Sequence, residues 1–199
     1  MSDYFELLNE PRRPWLDADS LKRKFLAHSA SLHPDKVHTG GEGERAAAAK
    51  KFAELNAAHQ CLADPKTRLM HLFELETGAR PNELQQIPNH LADVFAEVGT
   101  LCQGVDAFLA QTSASPLIQA QRFERGQEWI ERLNQLKNKL GDLRRQLEDG
   151  LKSLDGVWTR SDKPARRRLL PAVEECYRLF GYFNRWNSQI QERLTRLIL

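Results

Sequence analysis

The stretch His33-Pro34-Asp35-Lys36 decides the fold, because it separates two segments with helical periodicity and fits into neither. Pro34 has no backbone N–H to donate, and its ring disfavours the α conformation at His33. A helix that runs up to Leu32 therefore has to end there. The tetrapeptide is predicted to be the exposed tip of a helical hairpin, and such loops commonly carry function.

The helices on either side of this tip are predicted from apolar residues that recur at intervals of three and four. Asp17 or Asp19 is a suitable N-cap for the first, which ends at Leu32, and the second runs from Glu44 to Leu62. The side chains expected to pack between them are Leu21, Phe25 and Leu32 from the first helix and Phe52, Leu55 and Leu62 from the second. Lys22, Arg23 and Lys24 fall on the opposite side of the first helix.

Residues 3–76 resemble the J-domain family of co-chaperones. The motifs that carry the resemblance are Asp3-Tyr4-Phe5, Leu7-Leu8, Phe25, Leu32, His33-Pro34-Asp35, Phe52, Leu55, Ala58, Leu62 and Asp64. Members of the family stimulate ATP hydrolysis by DnaK-type chaperones. The resemblance therefore implies a DnaK-type ATPase as partner, and it places Tyr4 in the core of the domain.

The resemblance also implies roles for the loop and for the basic side of the first hairpin helix. Asp35 is expected to contact a basic group on the chaperone, while His33 and Pro34 fix the geometry of the loop. The cations expected to dock on an acidic surface of the chaperone are Lys22, Arg23, Lys24 and Lys36. Residues 26–31 lack the basic residues that many J-domains have there.

The second half of the chain differs in kind from the first. A fourth segment from Lys66 to Glu76 ends at Thr77-Gly78, and residues 79–82 are the best domain boundary. We therefore predict a J-domain at 1–78 and a C-terminal helical domain for client or partner binding at 82–199.

Three long apolar stripes predict three helices in this C-terminal domain. The first runs from about Pro88 to Ala110, the second carries a heptad stripe from Trp129 to Leu147 that continues to Trp158, and the third extends from Leu169 to Leu197. Asn187 is expected to be the one polar member of the third seam. The predicted fold class is all-α, a J-domain followed by an elongated three-helix coiled-coil-like bundle.

Composition excludes several functions. The net charge of the 199 residues is only +2, which gives no electrostatic argument for a nucleic acid or an acidic substrate. Cys61, Cys102 and Cys176 are far apart, so neither a disulfide framework nor a metal site is indicated. No apolar run is long enough to span a membrane, and the chain contains no phosphate-binding loop or catalytic constellation. We expect a cytoplasmic protein that is not an enzyme and has no cofactor, membrane or nucleic-acid partner.

Two further groups of residues are candidate sites. His59 and His71 have no ligand partners at metal spacing and are expected to be packing or surface residues. Arg160, Lys163 and the run 166–168 are the only basis for nucleic-acid binding, and no aromatic residue is interleaved with them. We read these cations as a solvated, partner-facing or acid-paired surface.

The architecture is similar to that of HscB-type co-chaperones of iron–sulfur cluster biogenesis. The similarity rests on Asp3 to Leu8, on His33 to Lys36, and on the run from Arg68 to Gly78. Our first hypothesis is a co-chaperone that couples a DnaK-type ATPase to a client of unknown identity held by the C-terminal helices. The alternatives are an HscB-like role with an iron–sulfur scaffold protein as client, or a coiled-coil interaction protein whose J-domain is vestigial.

Overall fold

The computed structural model describes residues 2–32, 42–82, 87–111 and 116–198, and every regular element in these ranges is helical. This confirms the predicted all-α class. The elements are α1 Tyr4–Leu7, α2 Ala18–Leu32, α3 Glu42–Ala63, α4 Pro65–Thr77, a 3-10 turn Asn89–Leu91, α5 Ala92–Ala110, α6 Pro116–Trp158 and α7 Lys163–Ile198.

Side-chain caps set the ends of the N-terminal helices. The carboxylate of Asp3 accepts from the backbone N–H of Phe5 at 2.9 Å, and that of Asp17 accepts from Ser20 N at 2.8 Å. Asp64 does the same for Thr67 N at 2.9 Å. At the other end of α4, Gly78 has a φ of 76°, the left-handed conformation that favours glycine.

The chain divides into two compact units. One comprises residues 1–82 and 149–178, and the other comprises residues 83–148 and 179–199. Compactness does not report where an independently folding domain begins, so the bounds 1–78 and 82–199 stay predictions. The residues of the first unit come from two separate parts of the sequence.

The first unit is built on α1 to α4 and on the parts of α6 and α7 that belong to it. Phe5, Leu8, Leu69 and Leu72 are fully buried behind the α2–α3 hairpin. Trp158, at the end of α6, is also fully buried, and its indole N–H donates to the carbonyl of Arg12 at 2.9 Å. Burial of so large a ring is strongly stabilising when its N–H has a partner.

The second unit has a core of aliphatic and aromatic side chains from α5, α6 and α7. Its buried members are Leu91, Val94, Val98, Leu101, Cys102, Val105, Leu133, Leu136, Leu140, Tyr182, Phe183, Trp186, Ile190 and Leu194. Apart from the adjacent pairs Leu101–Cys102 and Tyr182–Phe183, these residues lie at intervals of three and four along each helix, as the stripes in the sequence predicted.

The expected register of α7 is wrong at one position in this core. Asn187 is exposed, and the neighbouring Trp186 is buried in its place. Burying the indole removes a large apolar surface from water, whereas burying an amide without partners costs free energy. Asn187 therefore cannot fix the register of the bundle.

Candidate functional site

The outer side of α2 presents fewer available cations than the sequence suggested. Lys22 and Arg23 are exposed, and neither forms an ion pair with another residue in the described part of the chain. Lys24 is different, because its Nζ lies 2.9 Å from a carboxylate oxygen of Glu10 and donates to the Asn9 carbonyl at 2.8 Å. Lys24 thus ties α2 to the segment that follows α1.

An aromatic contact joins the two helices of the hairpin near these cations. The rings of Phe25 in α2 and His59 in α3 stack with their centroids 4.3 Å apart. Burial lowers the pKa of His59, and the positive charge of Lys22 lowers it further. His59 is therefore a neutral packing residue at pH 7, as expected.

The predicted tip of the hairpin lies outside the described residues. The described residues stop at Leu32, the end of α2, and resume at Glu42, the start of α3. The structure therefore gives no placement for His33, Pro34, Asp35 or Lys36. The roles expected for these four residues stay predictions.

Six of the seven predicted core residues occupy two levels of burial, and the side chain of the seventh, Leu32, lies outside the described part of the structure. Leu21, Leu55 and Leu62 are fully buried, whereas Tyr4, Phe25 and Phe52 are partly buried. No role in function follows from this burial alone, but it orients α2 so that its basic side faces solvent.

His71 and Arg68 fix α4 beneath the hairpin by contacts that the sequence did not reveal. His71 is buried, its Nε2 accepts from the backbone N–H of Tyr4 at 3.1 Å, and burial lowers its pKa. Arg68 is also buried and donates to the carbonyls of Pro14 at 2.9 Å and Leu62 at 2.6 Å. Sequence periodicity cannot detect a buried arginine whose partners are backbone carbonyls.

Cysteine or metal chemistry has no support in the described residues. Burial raises the pKa of Cys61 and of Cys176 to about 11, so both thiols are protonated and unreactive at pH 7. Among the residues with described positions, no three His, Cys, Asp or Glu side chains are grouped closely enough to hold a metal ion. Within the same residues, no helix is sufficiently long and apolar to traverse a bilayer.

The N-terminal part of the chain matches a known domain family. Residues 3–71 match the family model of the DnaJ domain. Curated relatives from two strains of Vibrio cholerae serotype O1, each named co-chaperone protein HscB homolog, are 37% identical over 84 residues. The matched segment is 42% of this chain and 48% of each relative, so the match spans about half the length of those relatives.

Solved structures resemble almost the whole chain. The chaperone HscB from Vibrio cholerae has a TM-score of 0.65 at 20% identity, with 98% of this chain and 99% of that chain covered. The human co-chaperone protein HscB has a TM-score of 0.60 at 15% identity, with 98% and 81% covered. At these identities the likeness shows a shared fold.

Proposed function

We propose that this chain, whose residues 3–71 match the DnaJ domain and whose fold is similar to that of the HscB structures, stimulates ATP hydrolysis by a DnaK-type chaperone and delivers a client to it. The observation that carries the proposal is the DnaJ-domain match over residues 3–71, which includes the sequence His33-Pro34-Asp35. The curated relatives that match this part of the chain are named co-chaperones.

In this mechanism the chain performs no bond chemistry, since hydrolysis occurs on the partner. Asp35 contacts a basic group of the chaperone and favours the state that hydrolyses ATP, while His33 and Pro34 hold the loop. Lys22 and Arg23 attract the acidic docking surface, and Lys36 extends this attraction to the loop. Lys24 contributes less, because Glu10 already compensates its charge.

We further propose that the client is a scaffold protein of iron–sulfur cluster assembly. This finer assignment is supported by the fold, which matches HscB over 98% of this chain and 99% of the Vibrio cholerae chain. A J-domain attached to an unrelated helical segment would give no such coverage.

The test of the co-chaperone proposal is a single-turnover ATPase assay with the DnaK-type chaperones of the same organism. We expect Asp35→Asn to abolish the stimulation produced by the wild-type chain. Glu54→Gln is the matched control, because it also converts a carboxylate to an amide and Glu54 is exposed on α3. Stimulation that survives Asp35→Asn, or a wild-type chain that stimulates no chaperone, would refute the proposal and favour a vestigial J-domain.

The client assignment is tested separately by titrating the full chain with the organism's iron–sulfur scaffold protein in a calorimeter. We expect binding by the wild type and equal binding by Asp35→Asn, because that residue acts on the chaperone. Absence of binding would refute the client assignment and leave the ATPase result unaffected.

A further inference from the structure

A second group of cations lies around the turn between α6 and α7, in the same compact unit as α2. Arg160, Lys163, Arg167 and Arg168 are all exposed. We call these four residues the basic turn. Over the described parts of the chain, none of the four makes an ion pair.

Two neighbours of the basic turn have structural roles. Asp162 is the single acidic residue between positions 160 and 168, and its carboxylate caps α7 by accepting from Ala165 N at 2.9 Å. Arg166 is half-buried, donates from Nε to the Trp158 carbonyl at 3.1 Å, and lies over the Trp158 ring at 5.6 Å. These contacts account for Arg166, whereas no side chain of the basic turn forms a hydrogen bond or ion pair within the described ranges.

The position of Lys163, the first residue of α7, opposes the electrostatics of that helix. The N-terminus of an α-helix carries partial positive charge, so acidic side chains stabilise it and basic ones destabilise it. The first turn of α7 contains no acidic residue. Lys163 and Arg167 are also four residues apart, a spacing at which like charges repel. The charge of Lys163 at the helix start and its repulsion of Arg167 both disfavour the helix locally, and local rules of this kind are broken chiefly at functional positions.

We propose that the basic turn is a docking surface for an acidic polypeptide segment of a partner protein. Four exposed cations beside the positive end of a helix dipole form a concentrated positive field, and carboxylates of a partner would complement it. The side chain of Val157, which is 47% exposed at the end of α6, adds an apolar contact beside the cations. This surface is formed by residues other than those of the α2 face, and its occupation does not depend on ATPase stimulation.

The observations favour a polypeptide over a nucleic acid. Single-stranded nucleic acids bind through bases stacked on aromatic side chains as well as through phosphates. Trp158 is the aromatic residue in this stretch, and it is fully buried with its N–H bonded to the Arg12 carbonyl. An acidic polypeptide, in contrast, can bind through ion pairs with the exposed cations alone.

The test is fluorescence anisotropy of a labelled oligoglutamate peptide titrated with the full chain, at an ionic strength of about 20 mM, where screening is weak. We expect the double variant Lys163→Glu/Arg167→Glu to bind at least about tenfold more weakly than the wild type. Its melting temperature should equal or exceed that of the wild type, because acidic residues suit the start of a helix.

The matched control is Arg125→Glu/Arg185→Glu, which makes the same change in net charge at exposed positions of α6 and α7 in the other unit. We expect this variant to bind the peptide within about twofold of the wild type. An equal loss in both variants, or no peptide binding by the wild type, would overturn the proposal. Tighter binding of an oligodeoxythymidine of equal charge would overturn it in favour of a nucleic acid.

Discussion

At the scale of single residues, Asp155 is a buried polar group of the first unit that joins α6 to the segment before α2. It is 3% exposed, and its carboxylate accepts from Arg13 Nε at 2.9 Å and from the backbone N–H of Trp15 at 3.2 Å. A second guanidinium nitrogen of Arg13 also donates to it. The hydrogen bonds that Arg13 donates to the Asp155 carboxylate raise the pKa of Arg13. A buried carboxylate is tolerated in this place because its partners replace the lost water.

We expect Asp155→Asn to lower the free energy of unfolding by about 2–3 kcal/mol, since it weakens charge-assisted bonds and leaves Arg13 partly buried without a counter-charge. Urea denaturation measures the effect. Asp149→Asn is the control, because Asp149 pairs with Lys152 at an exposed site and such pairs contribute at most about 1 kcal/mol. Equal losses in the two variants would contradict the importance given to Asp155.

His71 makes the stability of the fold depend on pH. Burial lowers its pKa below the ordinary value of 6.5, and its Nε2 must be unprotonated to accept from Tyr4 N. The unfolded chain therefore binds a proton at His71 more readily than the folded chain does. The stabilising contribution is full above pH 6.5 and is lost as the pH falls below 6.5 toward the folded-state pKa. His59, whose pKa is also lowered by burial, acts in the same direction.

We expect His71→Gln to flatten this pH dependence, because glutamine keeps an acceptor for Tyr4 N but does not titrate. Denaturation midpoints measured between about pH 7.5 and pH 5 should fall less in the variant than in the wild type. A parallel decline in both proteins would show that His71 is not the group responsible.

At the scale of elements, the two glycines of α5 differ in the space available for a side chain. A Cβ built on Gly104 would lie 2.6 Å from Cη2 of Trp129, a side chain of α6. A Cβ on Gly99 would meet nothing within 4 Å. Gly104 therefore permits the close packing of α5 against α6, whereas Gly99 only adds to the flexibility of the unfolded chain.

We expect Gly104→Ala to destabilise the chain by about 1–3 kcal/mol, because the new methyl group forces the indole or the helix to move. Gly99→Ala should instead stabilise it by up to about 1 kcal/mol through helix propensity. Thermal unfolding of the two variants measures the difference. The same sign of change in both would contradict the packing described for Trp129.

At the scale of the whole molecule, the residues that match the DnaJ domain share a compact unit with distant residues of the chain. Helix α6 contributes residues 149–158 to this unit and α7 contributes residues 163–178. Leu151 and Trp158 are fully buried there, and Asp155 binds Arg13 and Trp15. The stability of the predicted domain 1–78 thus includes contacts made by residues more than seventy positions away.

We expect a fragment of residues 1–78 to be less stable than the same residues in the full chain, because it lacks the partners of Arg13 and exposes the site that Trp158 covers. Hydrogen exchange at the amides of Leu21 and Leu55, both in the hairpin core, reports the difference. Equal protection in the fragment and in the full chain would show that residues 149–178 add nothing to the stability of the J-domain.

The sequence by itself determined the features that depend on local chemistry. Gly78 marked the end of α4, and Asp17 was one of two candidate N-caps of α2, because capping involves only adjacent residues. Apolar spacing predicted every long helix. The same spacing placed Lys22 and Arg23 on the solvent side of α2.

Only the tertiary structure decided which polar groups are paired. Lys24 bonds to Glu10, and Asp155 to Arg13, across separations in sequence that no local pattern encodes. The burial of Trp186 in place of Asn187 has the same origin, because a heptad template fixes the face of a helix only to within one residue and packing against α5 and α6 chooses between neighbours. Periodicity predicts which side of a helix is apolar, whereas the partner of each buried group depends on the three-dimensional packing.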